Sequence, residues 1–138
     1  IDVAKNNNMP IVVHSRDAME DTINILKSSG YYNGIIHCYS GSKESAKILL
    51  DMGFYIGLGG VVTFKNAAKI KEVASYVPID RILLETDCPY LAPTPFRGKR
   101  NDSSKIAYVA EELAAIKQVP VEEVIRITNE NGRRLYNI

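Results

Sequence analysis

Cysteine and histidine are scarce in this sequence, and long apolar runs are missing from it. The two cysteines, Cys38 and Cys88, lack the CxxC spacing of a redox or zinc motif, so we expect free thiols in a reducing compartment. No apolar stretch approaches the length of a membrane span, and the first residues show no signal-peptide pattern. Together these absences predict a cytoplasmic protein.

The sequence also lacks a net charge of any size. The formal value is +1, which provides no general attraction to nucleic acid or to membranes, so any phosphate site must depend on local residues. A length of 138 residues with 46% hydrophobic content predicts a single globular domain, 1–138. The chain begins without methionine on Ile1–Lys5, which reads as the end of a helix, and we therefore expect a piece of a longer protein.

What the sequence does contain is a regular alternation of short apolar runs and helical patterns. The runs predict strands over residues 11–13, 34–36, 54–58 and 82–85. Strand and helix alternating at this spacing predict βα units and a parallel sheet, an α/β fold. A long loop rich in proline, glycine and arginine follows, from Cys88 to Ser103, and the rest of the chain is predicted to be helical.

Polar residues mark the expected starts of the helices. Asp17, with Glu20 three residues later, is typical of a capping box. Ser42 is predicted to cap the second helix and Asn66 the third.

Both histidines of the chain follow an apolar strand directly. His14 ends the first strand and His37 the second, and Asp87 follows the fourth. The carboxyl ends of parallel strands meet at one rim, where two imidazoles and a carboxylate match the ligand set of a divalent metal site. Each residue also has a plainer interpretation, since a strand-end histidine is often structural and Asp87 could cap a turn before Pro89. Because all three residues come at the same end of their predicted strands, a metal or acid–base role for the set stays open.

Basic residues near this rim are candidate phosphate contacts. Arg16 lies two residues beyond His14, while Arg97, Lys99 and Arg100 lie on the long loop. Guanidinium groups bind phosphate in a bidentate manner, and the backbone amides of Gly59–Gly60 could approach the same anion. The alternative for the loop residues is a solvated surface.

Five motifs, in this order along the chain, resemble those of the TatD metal-dependent deoxyribonucleases, which are amidohydrolase-like metal hydrolases. The motifs are His14–Ala18, Ile36–Gly41, Gly57–Gly60, Glu85–Pro93 and Arg97–Asn101. The resemblance implies a (β/α)8 TIM-type barrel that holds one or two divalent ions (Mg²⁺, Mn²⁺ or Zn²⁺) and hydrolyses phosphodiester bonds of DNA. It also implies roles for single residues: His14 and His37 as metal ligands, Asp87 as a ligand that accepts a proton from the attacking water, and Arg16 as a phosphate contact.

The sequence departs from the family pattern in two ways. The His-x-His pair of the family's first strand and the bridging Glu of its fourth are not in this chain, and Asp102–Ser103 stands where Glu-Pro is usual. A full barrel needs about 250 residues, so we expect the C-terminal half, about strands five to eight.

Three expectations follow from a half-barrel. The isolated chain should bind metal weakly and show little nuclease activity. Its open sheet edges should pair with a second copy or with the missing N-terminal half. Two other functions stay open: a non-catalytic truncated enzyme, and a metal hydrolase of a small amide or ester.

Overall fold

The computed structural model describes residues 1–138 and contains one parallel sheet of four strands. The strands follow the chain order β1-β2-β3-β4, with β1 at Ile11–His14, β2 at Gly34–His37, β3 at Tyr55–Leu58 and β4 at Ile82–Leu84. All three neighbouring pairs are parallel. The predicted βα arrangement is confirmed, with strand ends within one residue of the predicted ones.

Six α-helices accompany the strands, and the first of them precedes β1. They are α1 (Asp2–Asn6), α2 (Met19–Ser29), α3 (Lys43–Met52), α4 (Ala68–Tyr76), α5 (Ile106–Lys117) and α6 (Val121–Tyr136). Short 3-10 turns lie at Gly60–Thr63, Ile79–Arg81 and Ser103–Lys105. None of the helices is both long enough and apolar enough to cross a membrane.

The parallel register gives the sheet two unlike faces. One row aligns Val13, Ile36, Ile56 and Ile82. The three isoleucines belong to a core of 20 buried residues that includes apolar residues of α2 to α6, and Val13 is partly buried against it. Fully burying an isoleucine contributes about 1.5–3 kcal/mol, so this row anchors the helices to the sheet.

The opposite face carries the residues one position away in each strand. Ile35, Tyr55 and Leu83 form a smaller buried cluster there with Leu135 of α6. Val12, on the same face of β1, remains 59% exposed. Because β1 and β4 each have only one neighbouring strand, both edges of the sheet are open.

Two of the three predicted helix caps are wrong. The Ser42 hydroxyl accepts from the backbone N–H of Ser45 at 3.2 Å, as predicted for α3. Asp17 instead has a left-handed backbone with φ of 52°, and α2 begins after Ala18 without a side-chain cap. An N-cap needs extended backbone one residue before the helix, which Asp17 does not provide. Asn66 lies one residue too early as well, because Ala67 is the N-cap of α4.

Candidate active site

The strand ends bring His14, His37 and Asp87 to one rim of the sheet. His14 and His37 are register partners, and their ring centroids lie 6.0 Å apart. The Nε2 atom of His37 lies 3.1 Å from Oδ1 of Asp87. The chain therefore assembles the three side chains that the strand pattern singled out, although they are distant in sequence.

A fourth residue, Glu85, completes this arrangement and was not predicted as a site residue. Its Oε2 lies 2.7 Å from Nδ1 of His37, and its Oε1 accepts the backbone N–H of Cys38. Both ring nitrogens of His37 therefore face carboxylates. With both carboxylates ionised, the two bonds require His37 to carry a proton on each nitrogen.

Gly57 of β3 makes the contact between Glu85 and His37 possible. A Cβ at this position would lie 2.6 Å from Oε2 of Glu85 and 3.1 Å from the backbone oxygen of Ile36. Side chains alternate between faces along a strand, so Glu85 on the β4 side and His37 on β2 both project above Gly57. A glycine inside a strand often marks such a close approach, and it was the sequence signal available for Glu85.

Burial and charge shift the pKa values of this pair. Burial opposes the charged form of His37, but the neighbouring carboxylates of Glu85 and Asp87 together outweigh it and raise the pKa of His37 above 6.5. Burial also raises the pKa of Glu85, against the opposing effects of His37 and the Cys38 N–H. The contact between His37 and Glu85 is therefore polar and partly removed from solvent.

The backbone next to the site is strained at two positions. Cys38 has φ of 47° and Asp87 has φ of 52°, which are left-handed values that non-glycine residues rarely adopt. Such residues cost about 1–3 kcal/mol each and cluster at functional sites. Here the two turns follow β2 and β4 and direct the chain around the rim.

A cavity of about 460 Å³ opens beside the rim. Its wall includes His14, Arg16, Asp87 and Gly59, so the predicted phosphate contact Arg16 does reach the site. Gly60 does not line the cavity, and its missing side chain leaves room for the backbone oxygen of Leu91, which a Cβ there would meet at 2.0 Å.

The two loop arginines lie away from this cavity. The guanidinium carbon of Arg97 sits 4.3 Å from the centre of the Phe64 ring, which is a cation–π contact. Arg100 is exposed, and neither residue lines the cavity. The structure therefore brings Arg16 to the site and leaves Arg97 and Arg100 outside it.

The donor set suits a divalent ion, but the side chains are not arranged around one. No group of three or more His, Cys, Asp or Glu side chains is positioned to hold a metal. The Nε2 atom of His37 instead bonds to Asp87. Imidazole and carboxylate at one rim remain the chemistry of a transition-metal site. A carboxylate bonded to the second ring nitrogen is the usual partner of a metal-binding histidine, and Glu85 lies in that position against His37. The types of these side chains therefore suit a divalent ion, although their arrangement in this structure does not surround one.

Comparison with known proteins identifies the family. The family model described as "TatD related DNase" matches residues 1–137. This chain belongs to the TatD family. It is 52% identical over 140 aligned residues to the "Uncharacterized metal-dependent hydrolase YabD" of Bacillus subtilis, covering 100% of this chain and 55% of that protein. It is 46% identical to YcfH of Escherichia coli K12, also named an uncharacterized metal-dependent hydrolase, covering 100% of this chain and 53% of that protein.

Solved structures of the TatD family share the same fold. The crystal structure of YJJV, a TatD homolog from Escherichia coli, superposes with a TM-score of 0.93 at 29% identity, covering 99% of this chain and 53% of that one. The structure of a TatD family hydrolase from Entamoeba histolytica superposes with a TM-score of 0.86 at 23% identity, covering 97% of this chain and 53% of that one. At this identity the comparison shows a similar fold alone. The chain spans about half the length of the curated relatives it matches.

Proposed function

We propose that these residues supply part of the catalytic site of a metal-dependent hydrolase that cleaves phosphodiester bonds of DNA. The observation that carries the proposal is His37 held between Glu85 and Asp87, with His14 on the same rim. The relatives' names, metal-dependent hydrolase, and the family description, TatD related DNase, support it.

Each residue has a part in this reaction. His14, His37 and Asp87 would hold a divalent ion, for which Mn²⁺, Zn²⁺ and Mg²⁺ are the candidates, and Nε2 of His37 would have to lose its proton to serve as a ligand. When bound, such an ion supplies a Lewis acid that polarises a phosphoryl oxygen and lowers the pKa of water. Asp87 accepts the proton of the attacking water at a carboxylate oxygen. Glu85 fixes the ring of His37, and Arg16 binds a phosphate oxygen.

We further propose that the chain alone is impaired. Four strands provide three ligands from protein, and these are not grouped around an ion. The positions that would complete the ligand set lie on strands that this chain does not contain. We therefore place these four strands as about the fifth to eighth of a barrel and expect weak metal binding and slow hydrolysis from the 138 residues.

A chimera tests the function separately from the impairment. The 138 residues would replace the matching segment of Bacillus subtilis YabD, and hydrolysis of plasmid and single-stranded DNA would be followed with Mn²⁺ or Mg²⁺. We expect the chimera to cleave DNA, His37→Ala in the chimera to lower the rate at least about a hundredfold, and the chain alone to cleave little.

Two results would contradict this account. Cleavage by neither YabD nor the chimera would rule out DNA as the substrate. Robust cleavage by the isolated chain, lost in His37→Ala, would contradict the impairment.

The absence of a grouped ligand set favours one competing function, a non-catalytic half-barrel. In that case the chimera would fold but hydrolyse nothing that YabD hydrolyses. A small amide or ester substrate is the other alternative, and competition between DNA and a generic ester in the chimera separates it from a nuclease. Arg16 in the cavity favours the phosphate substrate.

A further inference from the structure

The cavity beside the rim has a second basic side chain that the reaction described above does not use. Arg16 reaches the cavity from the segment after β1, and Lys69 reaches it from the first turn of α4. His14 and Asp87 form the part of the wall that belongs to the rim. Two cations from separate elements thus line the same cavity as His14 and Asp87, while His37 lies outside it.

Neither of these cations is in an ion pair within the chain, although Glu44 is near enough to Lys69 to interact with its charge. Some other basic side chains are in ion pairs, as Lys43 is with Glu72 and Lys71 with Glu112. Arg16 and Lys69 make no ion pair and no side-chain hydrogen bond. Their charges are available to an anionic ligand, and a lysine and an arginine are the usual phosphate contacts.

Part of the remaining cavity wall is apolar, and Ser15, Ser40 and Asn66 also line the cavity. Val62 and Ile70 are buried, and Leu91 and Val61 line the same space. Tyr39 is also part of the wall and is fixed there by its hydroxyl, which donates to the backbone oxygen of Ser42 at 2.7 Å. The apolar part accepts the face of a ring or a sugar, and the serine and asparagine side chains can hydrogen-bond to the polar groups of the same ligand.

We infer that this cavity is a subsite for one nucleotide, with its phosphate between Arg16 and Lys69 and its sugar and base against the apolar wall. The volume of about 460 Å³ lies within the usual range of small-ligand pockets, about 300–1,000 Å³. Lys69 is then a positioning residue that binds the same phosphate as Arg16. This inference rests on the proposed function and adds a second residue that recognises the phosphate.

The test is a nuclear magnetic resonance titration of the ¹⁵N-labelled chain in a chelator, so that metal binding plays no part. The ligands are thymidine monophosphate, inorganic phosphate and thymidine. The variant is Lys69→Gln, and the matched control is Lys65→Gln, because Lys65 is also exposed and unpaired but does not line the cavity. The spectrum itself reports whether each variant is folded.

We expect thymidine monophosphate to shift the amide signals of Gly59, Val61 and Ile70, and to bind more tightly than either inorganic phosphate or thymidine. Lys69→Gln should weaken the binding of thymidine monophosphate and of inorganic phosphate about fivefold, since a charge-assisted contact to the phosphate is lost. The binding of thymidine should be unchanged. Lys65→Gln should change each affinity less than twofold.

Three results would overturn the inference: shifts outside the cavity, equal weakening by Lys69→Gln and Lys65→Gln, or thymidine binding as tightly as its monophosphate. These outcomes are separate from those of the hydrolysis assay. If nucleotides bind in the cavity but the chimera is inactive, the proposed nuclease function is wrong and the subsite inference holds. If the chimera is active but Lys69→Gln binds nucleotides as the unaltered chain does, the nuclease function holds and the subsite inference is wrong.

Discussion

At the scale of single residues, the site depends on a glycine as much as on its charged groups. Glu85 can reach His37 only because Gly57 leaves the space between β2 and β4 empty. The carboxylate then fixes the imidazole and keeps Nε2 directed toward Asp87. The strained turns at Cys38 and Asp87 are tolerated because this network surrounds them.

Replacing Gly57 with alanine should therefore disturb the site specifically. The added Cβ would lie 2.6 Å from Oε2 of Glu85, so either the carboxylate or the strand must move. We expect a loss of about 1–3 kcal/mol in the free energy of unfolding, measured by urea denaturation, and a loss of the His37–Glu85 contact, seen in the imidazole ¹⁵N signals.

Gly132→Ala is the matched control, because its Cβ would make only an ordinary contact with Leu83 at 3.6 Å. Alanine is also the better helix former, so this variant should be neutral or up to about 1 kcal/mol more stable. Unchanged imidazole signals in Gly57→Ala would show that Glu85 does not need the space.

The residue scale also shows what the sequence could reveal and what it could not. His14 and His37 were predictable as strand-end residues because each follows a short run of β-branched apolar residues, which is typical of a strand. Glu85 was missed because its partner lies 48 residues away, and its role appears only when the register places Gly57 between them. Arg97 was a candidate phosphate contact because it is a basic residue on the long loop. A loop has no periodicity from which its path can be derived, and in the structure the guanidinium of Arg97 lies against Phe64 instead.

At the scale of elements, one buried amide joins the last helix to the sheet in addition to the apolar contacts of Val124 and Leu135. Nδ2 of Asn131 in α6 donates to the backbone oxygens of Ile79 and Ile82, at 2.9 and 2.8 Å. Ile79 begins the 3-10 turn that leads into β4, and Ile82 is the first residue of the strand. No helical periodicity predicts this contact, since asparagine reads as a polar interruption of α6.

Asn131→Ala should thus destabilise the chain. It removes two hydrogen bonds and leaves backbone oxygens at the start of β4 without their side-chain donor, at a cost of about 2–4 kcal/mol. Asn129→Ala on the exposed side of the same helix should cost less than about 0.5 kcal/mol. Chemical denaturation of both variants makes the comparison, and equal stabilities would contradict the attachment.

At the scale of the whole molecule, the sheet is open on both sides. β1 and β4 each carry an unpaired edge, and Val12 of β1 exposes 59% of its surface. A second cavity, of about 700 Å³, extends along this face and is lined by Val12, Leu83, Ile125 and Tyr136. Open edges beside exposed apolar surface favour association.

We accordingly expect the chain to associate, with a second copy or with a segment that completes a barrel. Sedimentation velocity should show an average molecular weight that rises with protein concentration. Val12→Lys should lower this weight toward that of the monomer, because pairing at β1 would bury the lysine charge. Val3→Lys on α1, where the side chain is 77% exposed, is the control and should change nothing. A compact monomer at every concentration would contradict this expectation.

The most direct test of the account as a whole is a Mn²⁺ titration of the isolated chain followed by electron paramagnetic resonance, which distinguishes free from bound ion. The rim of His14, His37 and Asp87 predicts one weak site per chain. His37→Ala should weaken it at least tenfold, and Glu111→Gln, an exposed acid without an ion pair, should leave it unchanged. No bound ion, or binding that is the same in His37→Ala as in the unaltered chain, would contradict the claim that this rim is a metal centre.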